Sequence, residues 1–170
     1  VAVTNTKNKT EYDYIDNSGV EHTYNYTGNS GIQVGFFDRL ILAIKNKNIK
    51  LAMSSFVSSE SKILTNRNII ERAKTILPNL IYDENPYTVI DNGQIYWVLD
   101  AYTVSDQYPY STYTEIEYDG ARRNINYIRN SVKVIVNAYD GDITFYITDR
   151  NDPIIMAYLK LYPTIFSDYN

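Results

Sequence analysis

The chain has 170 residues, enough to bury an apolar core unaided, with no cysteine and a single histidine, His22. Those counts exclude disulfides, thiolate metal sites, thiol catalysis and a histidine metal cluster, and a net charge of −4 argues against non-specific binding to nucleic acid or anionic lipid. Hydrophobic residues at 44% exclude wholesale disorder, and the unusual count is 18 Tyr against 5 Phe and 1 Trp.

Residues 1–10 are polar and aperiodic and are expected to form an arm. A start at Val1 reads as an excised segment. Glu11–Ile15 and Glu21–Tyr26 flank Asn17-Ser18-Gly19, the pattern of a peripheral hairpin. Gly28-Asn29-Ser30-Gly31 is a loop. Phe36, Phe37, Leu40, Ile41 and Ile44 then recur at helical spacing as one apolar stripe, and Leu51, Ala52 and Phe56 begin a second short helix. A third helix starts at Asn66 or Asn68, carries Ile69, Ile70, Ala73, Ile76 and Leu77 on its stripe, and stops at Pro78. No apolar run approaches the ~20 residues that cross a bilayer.

The second half has strand patterns. Tyr87–Ile90 and Gln94–Thr103 flank Asp91-Asn92-Gly93, a strong hairpin signal. The run Ile95–Tyr102 is nearly all apolar or aromatic, which predicts a central strand covered on both faces. A tyrosine-rich loop is expected from Ser105 to Asn124. Asn126–Tyr139 and Asp142–Thr148 flank Asp140-Gly141 as a second hairpin, with Val132, Val134 and Val136 on one face and Lys133, Ile135 and Asn137 on the other. Asp152 before Pro153 caps a closing helix that ends at Pro163, and the tail Ser167–Asn170 is expected to fray. The resulting expectation is α+β: N-terminal helices, an antiparallel sheet of about four strands built from two hairpins, and a closing C-terminal helix. In domain terms this is an arm and hairpin over residues 1–27 and a single domain over 28–170.

Three blocks carry a family resemblance: Tyr96–Thr103 with Ser105-Asp106 and Tyr108-Pro109-Tyr110-Ser111; Asn126–Val134 continuing to Asp140-Gly141; and Asp152-Pro153-Ile154-Ile155 with Tyr162-Pro163. With weaker similarity at Arg39-Leu40, Ser54-Ser55 and Ser61–Leu64, they resemble uncharacterised protein family 0182, large bacterial membrane proteins. The resemblance implies an extracytoplasmic segment of a multi-span protein of the cell membrane. It implies no activity, catalytic residue or cofactor.

Candidate sites follow from residue chemistry. His22, beside Glu21, is read as a solvated histidine. Asp140 and Asp142, near Asp149 and Asp152, are candidates for a metal but lack the spacing of a calcium loop, and turn and cap positions account for each. Asp100 lies in the most apolar strand and needs a partner. Arg122, Arg123 or Arg129 can supply one, or Asp100 is one acid of a glycosidase-type pair with Asp106 or Glu115. Tyr102, Tyr108, Tyr110, Tyr113 and Tyr118, with Arg122 and Arg123, form either a recognition surface or a loop folded back on the sheet. The leading reading is a non-enzymatic interaction or scaffolding module. Its partners are other segments of the parent protein, or an envelope protein or glycan. The alternative is a carboxylate-dependent hydrolase of envelope glycan or peptide that uses Asp100 and Asp106.

Overall fold

The structure, a computed structural model, describes residues 2–7, 11–33 and 35–168. The chain divides after Arg67 into two compact units.

The first unit contains β1 (Ala2–Thr4), β2 (Glu11–Ile15), β3 (Glu21–Tyr24), β4 (Ile32–Gln33), α1 (Phe36–Lys45), α2 (Ile49–Met53) and β5 (Lys62–Leu64). β2 and β3 form the hairpin expected around Asn17-Ser18-Gly19. Asp16 holds its turn by accepting from the Ser18 and Val20 N–H groups and the Ser18 hydroxyl. Those bonds, led by the Ser18 hydroxyl and joined by His22, lower the Asp16 carboxyl to about 2. β5 runs antiparallel between β1 and β4. Ala2–Thr4 is therefore a strand, inside the stretch read as an arm; Val1 and residues 8–10 of that stretch lie outside the described residues. A small core of Ala43, Leu51, Val57 and Ile63 closes this unit.

α1 is where sequence periodicity and structure part. Its apolar stripe faces outward: Phe36, Phe37, Leu40, Ile41 and Ile44 are exposed, and Ala43 is its buried residue. The inward side is set by Arg39. Its guanidinium donates to the carbonyls of Val57, Ala52 and Ser54 at 3.1, 3.1 and 2.6 Å. These carbonyls end α2 and its following loop, where no helical N–H reaches them. Satisfying them turns the Arg39–Ala43 side of the helix inward and the aromatic stripe out.

The second unit contains α3 (Ile69–Ile76), β6 (Ile81–Tyr82), β7 (Tyr87–Asp91), β8 (Gln94–Ser105), β9 (Thr114–Tyr118), β10 (Ala121–Ile125), β11 (Tyr127–Asn137), β12 (Ile143–Ile147), α4 (Pro153–Leu161) and β13 (Phe166–Asp168). The larger sheet runs β13-β12-β11-β8-β6, with β7 also paired to β8. Both expected hairpins are present. Asn92 and Gly93 take φ values of 48° and 78°, the left-handed pair that a tight two-residue turn requires. Three outcomes differ from expectation. β13 pairs in parallel with β12, Phe145 against Phe166, so Ser167 and Asp168 are strand; residues 169–170 lie outside the described residues. The loop expected from Ser105 to Asn124 contains a hairpin, β9–β10, that turns on Asp119-Gly120. Across the described residues strand amounts to 40% and helix to 20%. The described residues are thus mostly β, with several sheets and four small helices, in place of N-terminal helices, a four-stranded sheet of two hairpins and a closing helix.

The main core lies on one face of the β8–β11–β12 sheet. Leu99, Ala101, Val132, Val134, Val136, Phe145 and Ile147 meet Ala73 and Leu77 of α3 and Ile155 of α4. The helix ends are anchored by side chains. Asn68 accepts from the N–H groups of Ile70 and Glu71. Buried Tyr82 brings its hydroxyl to the carbonyls of Ala73 and Leu77, at 3.1 and 2.8 Å, and so satisfies the C-terminal end of α3.

Asp152, the cap of α4, is fully buried. Its carboxylate accepts from the hydroxyls of Thr103 on β8, Ser131 on β11 and Tyr127 on β11, and from the Ile154 N–H. Ser131 reaches it because β11 bulges between Asn130 and Val132, which lets Ser131 and Val132 both point inward. Burial pushes the carboxyl pKa up, but the Ser131, Thr103, Ile154 and Tyr127 bonds outweigh it and hold the group below its ordinary value.

Asp152→Ala removes the shared acceptor of those hydroxyls and the cap of α4 and should lower unfolding free energy by about 3 kcal/mol or more in urea titration. Because the folded pKa is depressed, the charge-dependent stability is complete above about pH 4. It is lost as pH falls through the folded value. The stability gap between wild type and Asp152→Asn should therefore narrow on acidification. Tyr82→Phe should cost about 1 kcal/mol, since it removes the bond to the α3 carbonyls while keeping the ring.

Candidate functional site

The residues with chemistry separate into three groups. The first is the segment between β8 and β9. Tyr127, held to Asp152 at 2.9 Å, stacks its ring on Tyr108 with centroids 4.5 Å apart. The Asn126 side chain clamps the same residue twice: the Tyr108 N–H donates to its Oδ1 at 2.9 Å, and its Nδ2 donates to the Tyr108 backbone carbonyl at 2.8 Å. The Ser111 hydroxyl donates to the Asn126 carbonyl at 2.6 Å. The chain therefore leaves the sheet in a fixed course and projects Tyr110, fully exposed at φ 59°, and Tyr113, 62% exposed.

The β9–β10 hairpin carries Arg122 and Arg123, both exposed. Arg122 pairs with Glu115 at 3.2 Å, and Arg123 lies over the Tyr118 ring at 5.9 Å. Tyr118 and Asp119 fasten the hairpin to the core unit. The Tyr118 hydroxyl accepts from the Tyr82 N–H at 3.2 Å, and Lys74 of α3 pairs with Asp119 at 2.5 Å. The Asp119 bond, against a smaller burial effect, raises the Lys74 ammonium above its usual range. Tyr108, Tyr110 and Tyr113 thus lie on the segment that leads into the β9–β10 hairpin, and Arg122 and Arg123 lie on that hairpin. Tyr102 belongs elsewhere.

The second group lies on the sheet face opposite the core. Asp100 sits directly across from Lys133 in the β8–β11 register and pairs with it at 3.0 Å. The partner is Lys133 rather than Arg122, Arg123 or Arg129. Burial lowers the Lys133 ammonium pKa, but its bonds to Asp100 and to the Tyr87 hydroxyl outweigh this and raise it. Tyr102 shares this face, and burial with the nearby Asp83 and Asp100 carboxylates pushes its hydroxyl up. Asp106 is exposed and six residues beyond Asp100, which at the rise of extended chain is about 20 Å. A hydrolytic carboxylate pair needs roughly 5–9.5 Å, so Asp100 and Asp106 do not form one.

The third group is the acidic run. Asp140 accepts from the Asp142 N–H at 3.0 Å as part of its turn. Asp149 pairs with Arg129 at 2.9 Å, and Asp152 is the cap. Among the described residues no group of three or more acidic or histidine side chains is placed to hold a metal ion. His22 stacks on Tyr14 and approaches Asp16 at 3.2 Å.

Sequence reasoning overlooked Asn126, Tyr127 and Lys133. Only Lys133 carried a usable signal: its alternation with Val132 and Val134 places it off the core face, where Asp100 also lies. Asn126 and Tyr127 act through contacts distant in sequence, which no local pattern reveals.

The family model for an uncharacterised protein family (UPF0182) matches residues 1–170. A UPF0182 protein of Clostridium novyi is 50% identical over 167 residues, 98% of this chain and 17% of the relative. One of Clostridium tetani is 48% identical over 169 residues, 99% of this chain and 18% of the relative. One of Clostridium perfringens is 46% identical over 156 residues, 92% of this chain and 16% of the relative. No solved structure matches the chain. The chain spans less than a fifth of the length of these relatives, and it belongs to the uncharacterised protein family UPF0182.

Proposed function

We propose that this chain is a non-enzymatic interaction module within the extracytoplasmic region of a bacterial membrane protein, and that the Tyr108–Tyr113 segment is its contact surface. The observation that carries the reading is the pairing of exposure with rigidity. Tyr110 and Tyr113 stand in solvent, while the backbone beneath them is tied by Asn126 and by the Tyr108–Tyr127 stack. A tyrosine side chain, with two side-chain torsions, loses little conformational freedom on binding and offers both a flat apolar ring and a polar tip. Arg122 and Arg123 add charged donors on the neighbouring hairpin. The membrane and extracytoplasmic parts of the proposal rest on the family resemblance alone. The relatives' greater length supports the idea of a module in a larger polypeptide, with other segments of that polypeptide, or an envelope protein or glycan, as the partner.

The absence of cysteine makes an introduced thiol unique within this segment. In the full-length parent expressed in its membrane, Tyr110→Cys should react with a membrane-impermeant maleimide in intact cells. Reaction only after lysis would sink the proposed location. A photo-crosslinking residue at position 110 or 113 should give one discrete adduct, inside the parent or with a partner, whereas the same residue at exposed Glu84 should not. Equal, diffuse labelling from all three sites would remove the segment as a contact surface. Asn126→Ala should cut the adduct yield several-fold and lower stability by about 1–3 kcal/mol, because the Tyr108 peptide loses both partners.

A further inference from the structure

We infer that the outward face of α1 and α2 is a docking surface for an anionic lipid bilayer, lying in the plane of the headgroup boundary. The face is formed by Phe36, Phe37, Ile41 and Ile44 of α1 and Ile49 and Met53 of α2, at 69, 76, 63, 71, 73 and 81% exposure. The four α1 residues form one apolar stripe at helical spacing on a helix that turns its arginine and alanine inward, and Ile49 and Met53 add exposed apolar surface on α2 of the same unit. A soluble unit gains nothing from that orientation unless something covers the stripe. Among the described residues, the core cluster of the unit that bears it is Ala43, Leu51, Val57 and Ile63.

Charge decides what the cover is. Lys45, Lys47 and Lys50, at the end of α1, the connection and α2, are all exposed, and among the described residues none forms an ion pair. The one acid between Phe36 and Phe56, Asp38, accepts from the Gly35 N–H at the start of α1. Up to Arg67 the chain has eight Lys and Arg against six Asp and Glu, and beyond it eight against fourteen. The net charge of −4 is thus an average over a basic unit and an acidic one. An apolar helical face with phenylalanines and a lysine margin fits the interface of an anionic bilayer, where rings and aliphatic chains enter the acyl boundary and the ammonium groups stay among the phosphates. The inference concerns a surface separate from the Tyr110 segment, and neither proposal needs the other.

Flotation of the 170-residue chain with vesicles tests it. Binding to phosphatidylcholine vesicles containing about one-third phosphatidylglycerol should exceed binding to phosphatidylcholine alone by at least tenfold and fall as salt rises. At roughly fivefold per lysine, Lys45→Glu with Lys47→Glu and Lys50→Glu should lower binding by about a hundredfold or more. Phe37→Ser with Ile41→Ser should abolish it at every salt concentration. All five positions are exposed, so circular dichroism and melting should be unchanged and loss of binding will not report loss of fold. Absence of vesicle binding, or equal binding to both lipid mixtures, overturns the inference. So does a dimer in sedimentation equilibrium that Phe37→Ser with Ile41→Ser dissociates, because the face then belongs to a second copy. In the reconstituted full-length parent, a fluorophore at Ile44→Cys should be quenched by spin-labelled lipid. Protection from both lipid and aqueous quenchers would show a protein cover and overturn the inference.

Discussion

The Asp152 carboxylate is the constraint on which the second unit depends. A buried charge is costly unless every lone pair is used. Here β8, β11 and the first turn of α4 each supply donors, so the carboxylate can be satisfied only when all three elements are in place. The bulge in β11 follows from the same need, because an unbroken ladder would point either Ser131 or Val132 away from the core. The constraint then passes outward. Tyr127 is fixed by its bond to Asp152, Tyr108 is fixed by stacking on Tyr127, and Asn126 holds the Tyr108 peptide from the other side. A path of two contacts thus leads from the buried Asp152 carboxylate through Tyr127 to Tyr108, two residues before exposed Tyr110.

What could be read from the sequence was whatever is decided within a few residues. Asn92-Gly93 fixed its own turn because both positions tolerate positive φ, and Asn68 and Asp152 capped helices because their side chains reach the N–H groups two or three residues on. Asp119-Gly120 carried the same kind of signal as Asp140-Gly141, and the tyrosines around it obscured it. Pairings across long stretches of chain were not legible. β1 with β5, and β13 in parallel with β12, are short strands whose partners are set by the packing around them. The proposed contact segment was half legible: Tyr108, Tyr110 and Tyr113 were named from composition, but the Asn126 and Tyr127 contacts that hold the backbone beneath them were not.

Asp100 shows how a residue type misleads without register. A carboxylate in an apolar strand invites a catalytic reading. In an antiparallel ladder, however, the residue opposite is fixed, and Lys133 stands there. The pair is about a quarter exposed on either side, 24% for Asp100 and 26% for Lys133, so it is partly screened and contributes modestly to stability. Its stronger effect is on register. A shift by one residue would set Asp100 against Val132 or Val134 and carry the valines off the core face.

Helical periodicity in α1 was read correctly as one apolar stripe, and the structure turns that stripe to solvent. A hydrophobic stripe shows that a face avoids water; it does not show whether the cover lies in the same fold. The decision rested with Arg39. Turned outward, it would be well solvated, but the carbonyls of Val57, Ala52 and Ser54 would lose their donor in a partly buried place where each unmet acceptor costs about 1–3 kcal/mol. Turned inward, it satisfies all three at the expense of five exposed apolar side chains, Phe36, Phe37, Leu40, Ile41 and Ile44. The polar cost is local and cannot be met from outside, whereas the apolar cost is recoverable by any surface that covers the face. The helix therefore takes the orientation whose remaining deficit any surface that covers the stripe can relieve.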